Sequence, residues 1–305
     1  MWVEDLIRER IRSLNLSFED SEIHRLIADI KRWTLKNYAD KLLKTADGSC
    51  TLFSGKYGEP YHSVTAGAVT ESIYKFLIPS GLLNTNKKSI KILDIGFGLG
   101  YNVTVALYHI KQKNPEIYVE VISFEKNLLA EIPPLPAPYE KFHELILSLV
   151  PYGEKEGIKF TLLEGDARLR IKEVKSFKAD AVFHDPFSPY KNPELWTLEF
   201  LNEIKKRMDQ KGIWVSYTSS SAVREALKRL GFRVGSSTPV GRKSSGTVAS
   251  LKGKIPPLSQ KEEEKLKRSP YSIPFRDPDL QRLPIEILID YRISVLLREK
   301  QKHGA

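Results

Sequence analysis

With 305 residues, 41% of them hydrophobic and 28% charged, the chain carries enough apolar material for one large core, and wholesale disorder is excluded. The single Cys50 excludes an internal disulfide scaffold, no CxxC or clustered histidine calls for a metal, and no apolar run reaches the roughly 18 residues of a membrane span. Lysine and arginine number 48 against 38 acidic residues, a formal charge of +10 that points toward an anionic partner.

The opening MWVEDLIRER interleaves charges with apolar residues and lacks a signal-peptide core, which together with the unpaired thiol predicts a cytoplasmic protein. Leu6, Ile7, Ile11 and Leu14, then Ile23, Leu26, Ile27 and Ile30, recur at helical spacing, so residues 1 to about 46 read as two or three amphipathic helices. Gly55 and Gly58 between short β-prone runs predict a hairpin or structured loop over 50–62, and a helix follows over 66–77. From residue 90 short apolar or β-branched runs alternate with helical patterns, as in βαβ units around a mostly parallel sheet. Seven strands are predicted, at 90–94, 118–124, 158–163, 179–184, 212–217, 231–235 and 246–251. The last two are joined without a helix, so the final strand should run antiparallel. Pro133, Pro134, Pro136 and Pro138, followed by a short apolar helix, mark 131–157 as an insertion. Beyond 255 a KEEEKLKR run predicts a solvated helix, and an amphipathic helix occupies about 285–299. The chain thus divides into a helical extension (1–48), an α/β domain (49–254) and a C-terminal tail (255–305).

Chemistry gathers at the predicted strand ends. In Leu93–Gly100, which reads LDIGFGLG, Gly96, Gly98 and Gly100 let a loop turn tightly and a ligand lie against bare backbone. The spacing is GxGxG, and with Tyr at 101 the last glycine of a dinucleotide fingerprint is missing. Asp94 opens this loop, and Glu125 ends the second strand, where it can accept both hydroxyl protons of a ribose. Gly165-Asp166-Ala167 follows the third strand and offers a carboxylate to the exocyclic amine of adenine. Each of these residues alone has a plainer reading as a strand-end cap or surface charge. Together they favour the S-adenosylmethionine site of a class I methyltransferase over a nicotinamide site. The fourth strand runs into His184-Asp185-Pro186-Phe187, similar to the (D/N)PP(Y/F) loop of amino-methyltransferases. Asp185 can accept a hydrogen bond from a nucleophilic amine and help take its proton, and Phe187 can stack on a base or support the cation. His184, one residue earlier in the strand, should point to the opposite face.

The runs DIGFGLGYN, SFEKN, DPFSPYKNPELWT, YTSS and VGRK resemble the methyltransferase domain of the MnmC family over about residues 50–251. The resemblance implies a Rossmann-like fold with a seven-stranded, mostly parallel sheet, and S-adenosylmethionine as cofactor, with neither FAD nor a metal. It implies N-methylation of the 5-aminomethyl group on the wobble uridine of tRNA, giving 5-methylaminomethyluridine or its 2-thio form. Carried over by position, Gly96, Gly98 and Gly100 would hold the methionine part, Glu125 the ribose and Asp166 the adenine, while Asp185 would face the target amine. Asn102 and Lys126 belong to the same runs and join the expected cofactor set, with Tyr57, Tyr61 and Ser63 closing over it. Arg242 and Lys243, with Arg224, Lys228 and Arg229 of the basic stretch before them, are expected to meet tRNA phosphate. No flavin-dependent oxidase follows in this sequence, so a stand-alone methyltransferase is implied, one that receives aminomethyl tRNA from another route and does not act on the carboxymethylaminomethyl form. Neither a membrane nor an obligate protein partner is implied.

Three alternatives stay open. An aminopropyltransferase of the spermidine synthase type shares the fold, but its free polyamine acceptor calls for several carboxylates. An RNA-binding module could retain a vestigial cofactor site. A methyltransferase could act on another RNA or on a protein amine, because fold does not determine substrate.

Overall fold

The structure, a computed structural model, describes residues 2–34, 38–241 and 244–303. Two helices come first, α1 (Trp2–Ser13) and α2 (Asp20–Trp33), each with its isoleucines and leucines on one buried stripe. A small antiparallel sheet follows, made of β1 (Lys41–Lys44), β2 (Cys50–Ser54) and β3 (Glu59–Pro60). The expectation of helix up to about residue 46 is therefore corrected. Asp47-Gly48 is a hairpin turn, with Gly48 at φ 84° and the Asp47 carboxylate accepting from Thr45 Oγ1 and Ser49 N, and it pairs Lys41–Lys44 with Cys50–Phe53.

The predicted helix over 66–77 is observed as α3 (Ala68–Glu71), a π-helical segment over Ser72–Leu77, and α4 (Ile78–Ser80). The large sheet then forms from β4 (Ser89–Ile95), β5 (Tyr118–Glu125), β6 (Tyr152–Lys155), β7 (Ile158–Glu164), β8 (Ala179–His184), β9 (Met208–Ser216), β10 (Arg233–Ser236) and β11 (Thr247–Ser250). Between them lie α5 (Tyr101–Lys113), α6 (Glu140–Ser148), α7 (Ala167–Arg170), α8 (Leu198–Lys206) and α9 (Ser221–Arg229), with α10 (Gln260–Arg268) and α11 (Pro284–His303) in the tail. The strand order is β10-β11-β9-β8-β4-β5-β7-β6. The five central strands are parallel, and β11 runs antiparallel to both β9 and β10.

The sheet has eight strands where seven were expected. The additional one is β6, inside the expected insertion, paired antiparallel with β7 at the sheet edge. Its sequence YGEK is largely exposed and lacks an alternating apolar pattern. The turn that builds the pair has Glu156 at φ 53° and Gly157 at φ 67°, a two-residue hairpin geometry in which Glu hides the usual Asn or Asp signal.

Central strands such as β4 and β8 are apolar on both faces because helices cover both. One face packs Ile90, Ile92 and Phe160 against Val103 and Leu107 of α5. The other packs Leu93, Val182 and Trp214 in a single core with Leu26 and Ile30 of α2, Phe275 of the tail, and Ile287 and Val295 of α11. The last helix is also tied to α1 by Arg10–Asp290 at 2.6 Å and to α2 by the buried Arg292 with Asp29 at 2.5 Å. At the C-terminal end of β4 the sheet departs toward β5 on one side and β8 on the other, which opens the crevice where such sheets bind ligands.

Candidate active site

The β4–α5 loop is shaped by what cannot fit beside it. A Cβ on Gly96 would lie 2.9 Å from the Asp185 carbonyl oxygen, and one on Gly98 would lie 3.0 Å from the Tyr61 ring. A Cβ on Gly100 would meet the Phe97 ring at 2.6 Å, so this glycine serves local packing at the start of α5. At the end of β5, Glu125 is held by loop amides: Oε2 accepts from Gly98 N at 2.9 Å, and Oε1 accepts from Lys126 N at 2.7 Å and Asn127 N at 3.3 Å. Burial pushes its carboxyl up while these amides pull it back. Among the described residues, one lone-pair site, on Oε2, stays open.

These loops surround a cavity of about 350 Å³, a size suited to a small-molecule ligand. Of the residues named from sequence, Gly96, Gly98, Glu125 and Lys126 line it, with Gly165, Asp166 and Ala167 beyond them. Asp185 and Phe187 line it from the β8 side, and Tyr57, Tyr61 and Ser63 from the hairpin side. Three named residues do not. Asp94 is buried below the loop, bonded by Ser123 Oγ, and burial together with the Glu125 charge drives its carboxyl up to about 8. Gly100 packs as described. Asn102 stands behind Asp185, accepting from Ser72 Oγ at 2.8 Å and donating its Nδ2 to Asp185 Oδ2 at 2.6 Å, so it orients the carboxylate.

Burial and the neighbouring charges of Glu71 and Asp94 raise the Asp185 carboxyl well above the ordinary carboxylate range, against the Asn102 hydrogen bond. The loop carrying it is pinned at three points. Trp196 Nε1 donates to the Phe187 carbonyl at 2.8 Å, Tyr217 Oη to the Pro186 carbonyl at 3.0 Å, and Ser188 Oγ to Glu59 Oε1 at 2.6 Å. Tyr57 stacks on Phe187 at 4.1 Å between centroids, and Tyr61 meets it edge-on at 5.0 Å, giving an aromatic wall on which a planar base can lie. His184 faces away, buried against Trp196 and Trp214, and burial pushes its imidazole down to about 3.

Sequence reasoning missed Glu59, Glu71 and Glu194, which also line the cavity. Glu71 Oε2 accepts from Ser63 N at 2.7 Å and lies 3.7 Å from His62 Nδ1. Glu59 opens β3 between the two hairpin tyrosines and Glu71 ends α3, both away from the strand ends of the large sheet. With Asp40 added, the lining carries seven carboxylates against Lys56 and Lys126. Such a lining selects a cationic ligand.

The basic residues named from sequence lie elsewhere. Arg224 is buried: Nε donates to Thr247 Oγ1 at 3.0 Å and Nη1 pairs with Glu262 at 3.0 Å, so it is a structural tie and is not free to meet phosphate, contrary to expectation. Lys228 and Arg229 are exposed on α9, Arg229 pairing with Glu225 at 2.8 Å. Arg242 and Lys243 lie outside the described residues. Among the described residues no helix is long and apolar enough to cross a membrane, and no group of three or more His, Cys, Asp or Glu could hold a metal.

Comparison with known proteins decides what kind of site this is. Residues 137–252 match a family described as S-adenosyl-L-methionine-dependent methyltransferase. The crystal structure of MnmC2 from Aquifex aeolicus superposes with a TM-score of 0.93 at 51% identity, covering 97% of this chain and 98% of that one. The chain belongs to the MnmC2 family. An uncharacterized protein of Methanocaldococcus jannaschii is 34% identical over 298 residues, covering 94% of this chain and 79% of that protein. The tRNA 5-methylaminomethyl-2-thiouridine biosynthesis bifunctional protein MnmC of Ralstonia nicotianae is 29% identical over 225 residues, covering 66% of this chain. The MnmC2-family chain spans only 33% of that bifunctional protein.

The protein is therefore an S-adenosylmethionine-dependent methyltransferase of class I fold, related to MnmC. The cavity residues fit that cofactor. The positive φ of Gly98 disfavours a side chain and leaves loop backbone bare, Glu125 is fixed at the cavity wall by loop amides, and the acidic lining suits a sulfonium and an ammonium.

Proposed function

We propose that the protein methylates the nitrogen of the 5-aminomethyl group on the wobble uridine of tRNA, giving 5-methylaminomethyluridine or its 2-thio form, in the cytoplasm and without an obligate protein partner. The observation that carries this reading is Asp185, a buried carboxylate with raised basicity, set beside the glycine loop in an acidic cavity with an aromatic wall. The relatives named for 5-methylaminomethyl-2-thiouridine biosynthesis support the same substrate class.

An aliphatic amine reaches the site protonated and must lose a proton before its lone pair can attack. The acidic lining draws the cation in, and Asp185, made basic by burial, accepts its proton when in the ionised form. Bound at the glycine loop, S-adenosylmethionine supplies the activated methyl group. Asn102 holds Asp185 in one orientation, and the Tyr57–Phe187 pair provides a surface for the extruded uracil. An anticodon loop already presents this base largely unpaired, which lowers the cost of reaching it. Lys228, Arg229, Arg242 and Lys243 are assigned to phosphate contacts.

The test is mass analysis of wobble nucleosides after incubating aminomethyl tRNA with the protein and labelled cofactor. Unchanged nucleosides would refute the proposal. The carboxylate-rich lining gives one specific point to the aminopropyltransferase alternative. Tighter calorimetric binding of decarboxylated S-adenosylmethionine than of the carboxylated form would favour that reading.

A further inference from the structure

Two neighbouring carboxylates, Asp166 and Glu194, line the cavity together with Glu125, and they differ in what they have left to give. Asp166 is the one that the strand-end position nominates for adenine. Its oxygens are already engaged: Oδ1 accepts from Arg168 N at 2.9 Å, and Oδ2 from Arg168 Nη2 at 2.7 Å, with Arg168 Nε shared between both. It caps α7, and Arg168 continues to Asp277 Oδ2 at 2.8 Å and the Arg282 carbonyl at 2.9 Å. Asp166 thus anchors the tail to the end of β7.

Glu194 comes from the short 3₁₀ turn Pro193–Leu195, is 4% exposed, and lines the same cavity. Its Oε2 has no hydrogen-bond partner among the described residues. A buried carboxylate oxygen without a partner is costly, and this one, unlike the unpartnered Asp94 Oδ1 beneath the glycine loop, belongs to a residue that lines a cavity able to hold a ligand. Burial pushes this carboxyl up, aided weakly by the Asp166 charge, while a hydrogen bond from its own backbone N–H and the charges of Lys126 and Arg168 hold it down. The neutral form offers a hydroxyl donor beside a carbonyl acceptor, and the ionised form offers acceptors alone. Adenine presents an exocyclic amine beside the N1 acceptor, a pattern that either form of the carboxyl can meet at the amine.

We propose that Glu194 accepts the hydrogen bond of the adenine amino group and so sets the base specificity of the cofactor site, while Asp166 serves as a cap and anchor. The proposal rests on the Glu125 end of the cavity being the adenosine end.

The test is calorimetry on the full chain with S-adenosylhomocysteine and its analogue lacking only the 6-amino group. The unaltered protein should prefer the amino form by about 10- to 100-fold, the weight of a hydrogen bond to a charged or strongly polar buried group. Glu194→Ala should abolish the preference without lowering the melting temperature of the free protein, because it removes an unpaired buried group. Glu194→Gln, whose carbonyl can still accept, should restore most of it. Asp166→Asn should keep the preference but melt earlier. A preference that survives in Glu194→Ala, or one lost in folded Asp166→Asn alone, would overturn the assignment. Failure of the unaltered chain to bind S-adenosylhomocysteine would instead sink the reading of the cavity itself.

Discussion

The cavity end of the sheet and the α9–β11 end use charge in opposite ways. In the cavity, carboxylates outnumber lysines, and several keep capacity for a ligand: Glu125 has an open lone-pair site, Asp185 is basic, and Glu194 Oε2 has no partner among the described residues. At the other end, basic residues dominate the sequence, yet the structure neutralises much of that charge internally. Arg224 is tied to Glu262 and Arg229 to Glu225. A run of arginines therefore says less about an anionic partner than the side of the helix each one occupies.

Four experiments would break or sharpen this contrast. The largest expected effect is at the cavity: Asp185→Ala should lower turnover by about 10²-fold while leaving tRNA affinity in place, as measured by single-turnover kinetics and filter binding. Unimpaired turnover would remove Asp185 from the mechanism. Next, Arg224→Ala should cost about 2 kcal/mol in urea unfolding, less than a fully buried pair because Glu262 is part-exposed, and tRNA affinity should be unchanged while the variant stays folded. A loss of tRNA affinity without loss of stability would return Arg224 to the binding surface. A smaller effect is expected for Lys228→Ala with Arg229→Ala: the slope of log affinity against log salt should shrink by about 2, uniformly across tRNA sequences. An unaltered slope would mean the tRNA lies elsewhere.

The subtlest difference is in pH dependence. At the α9 end, hydrogen bonds from Ser245 and Ser259 and the Arg224 charge overcome burial and hold the Glu262 carboxyl down to about 2. Its stabilisation is therefore complete above its ordinary value of 4.5 and is lost as pH falls toward about 2. Asp94 under the glycine loop is raised from 3.8 to about 8, so its contribution is complete below pH 3.8 and is lost as pH rises through about 8. Urea titrations across pH should show Asp94→Asn removing a fall in stability that spans about pH 3.8 to about 8. An unaltered profile across that window would contradict the environment described for Asp94.

What was legible in the sequence was whatever local chemistry enforces. The glycine loop needs positive φ at Gly96 and Gly98, and buried parallel strands need unbroken apolar runs, so both announce themselves. β6 did not, because an exposed edge strand has no core face to pattern it and its turn is built on Glu156. β1 was lost to a helical reading that ignored Asp47-Gly48. Glu59 and Glu71 acquire their roles only through contacts with Ser188 and Ser63, which fold-level packing creates. Glu194 sits inside KNPELW, a run noticed as a signature but not as a source of an unpaired oxygen. Arg224 and Lys228 look alike as letters; the turn of α9 buries one and exposes the other.

The stack of Trp33 on Tyr190, 4.3 Å between centroids, joins α2 to the loop that carries Asp185, and Tyr190 also touches Phe275 and Tyr291 of the tail. The loop that carries Asp185 is therefore braced by rings from helices remote in sequence, so its position depends on the docking of α2 and α11 as much as on the sheet that bears it.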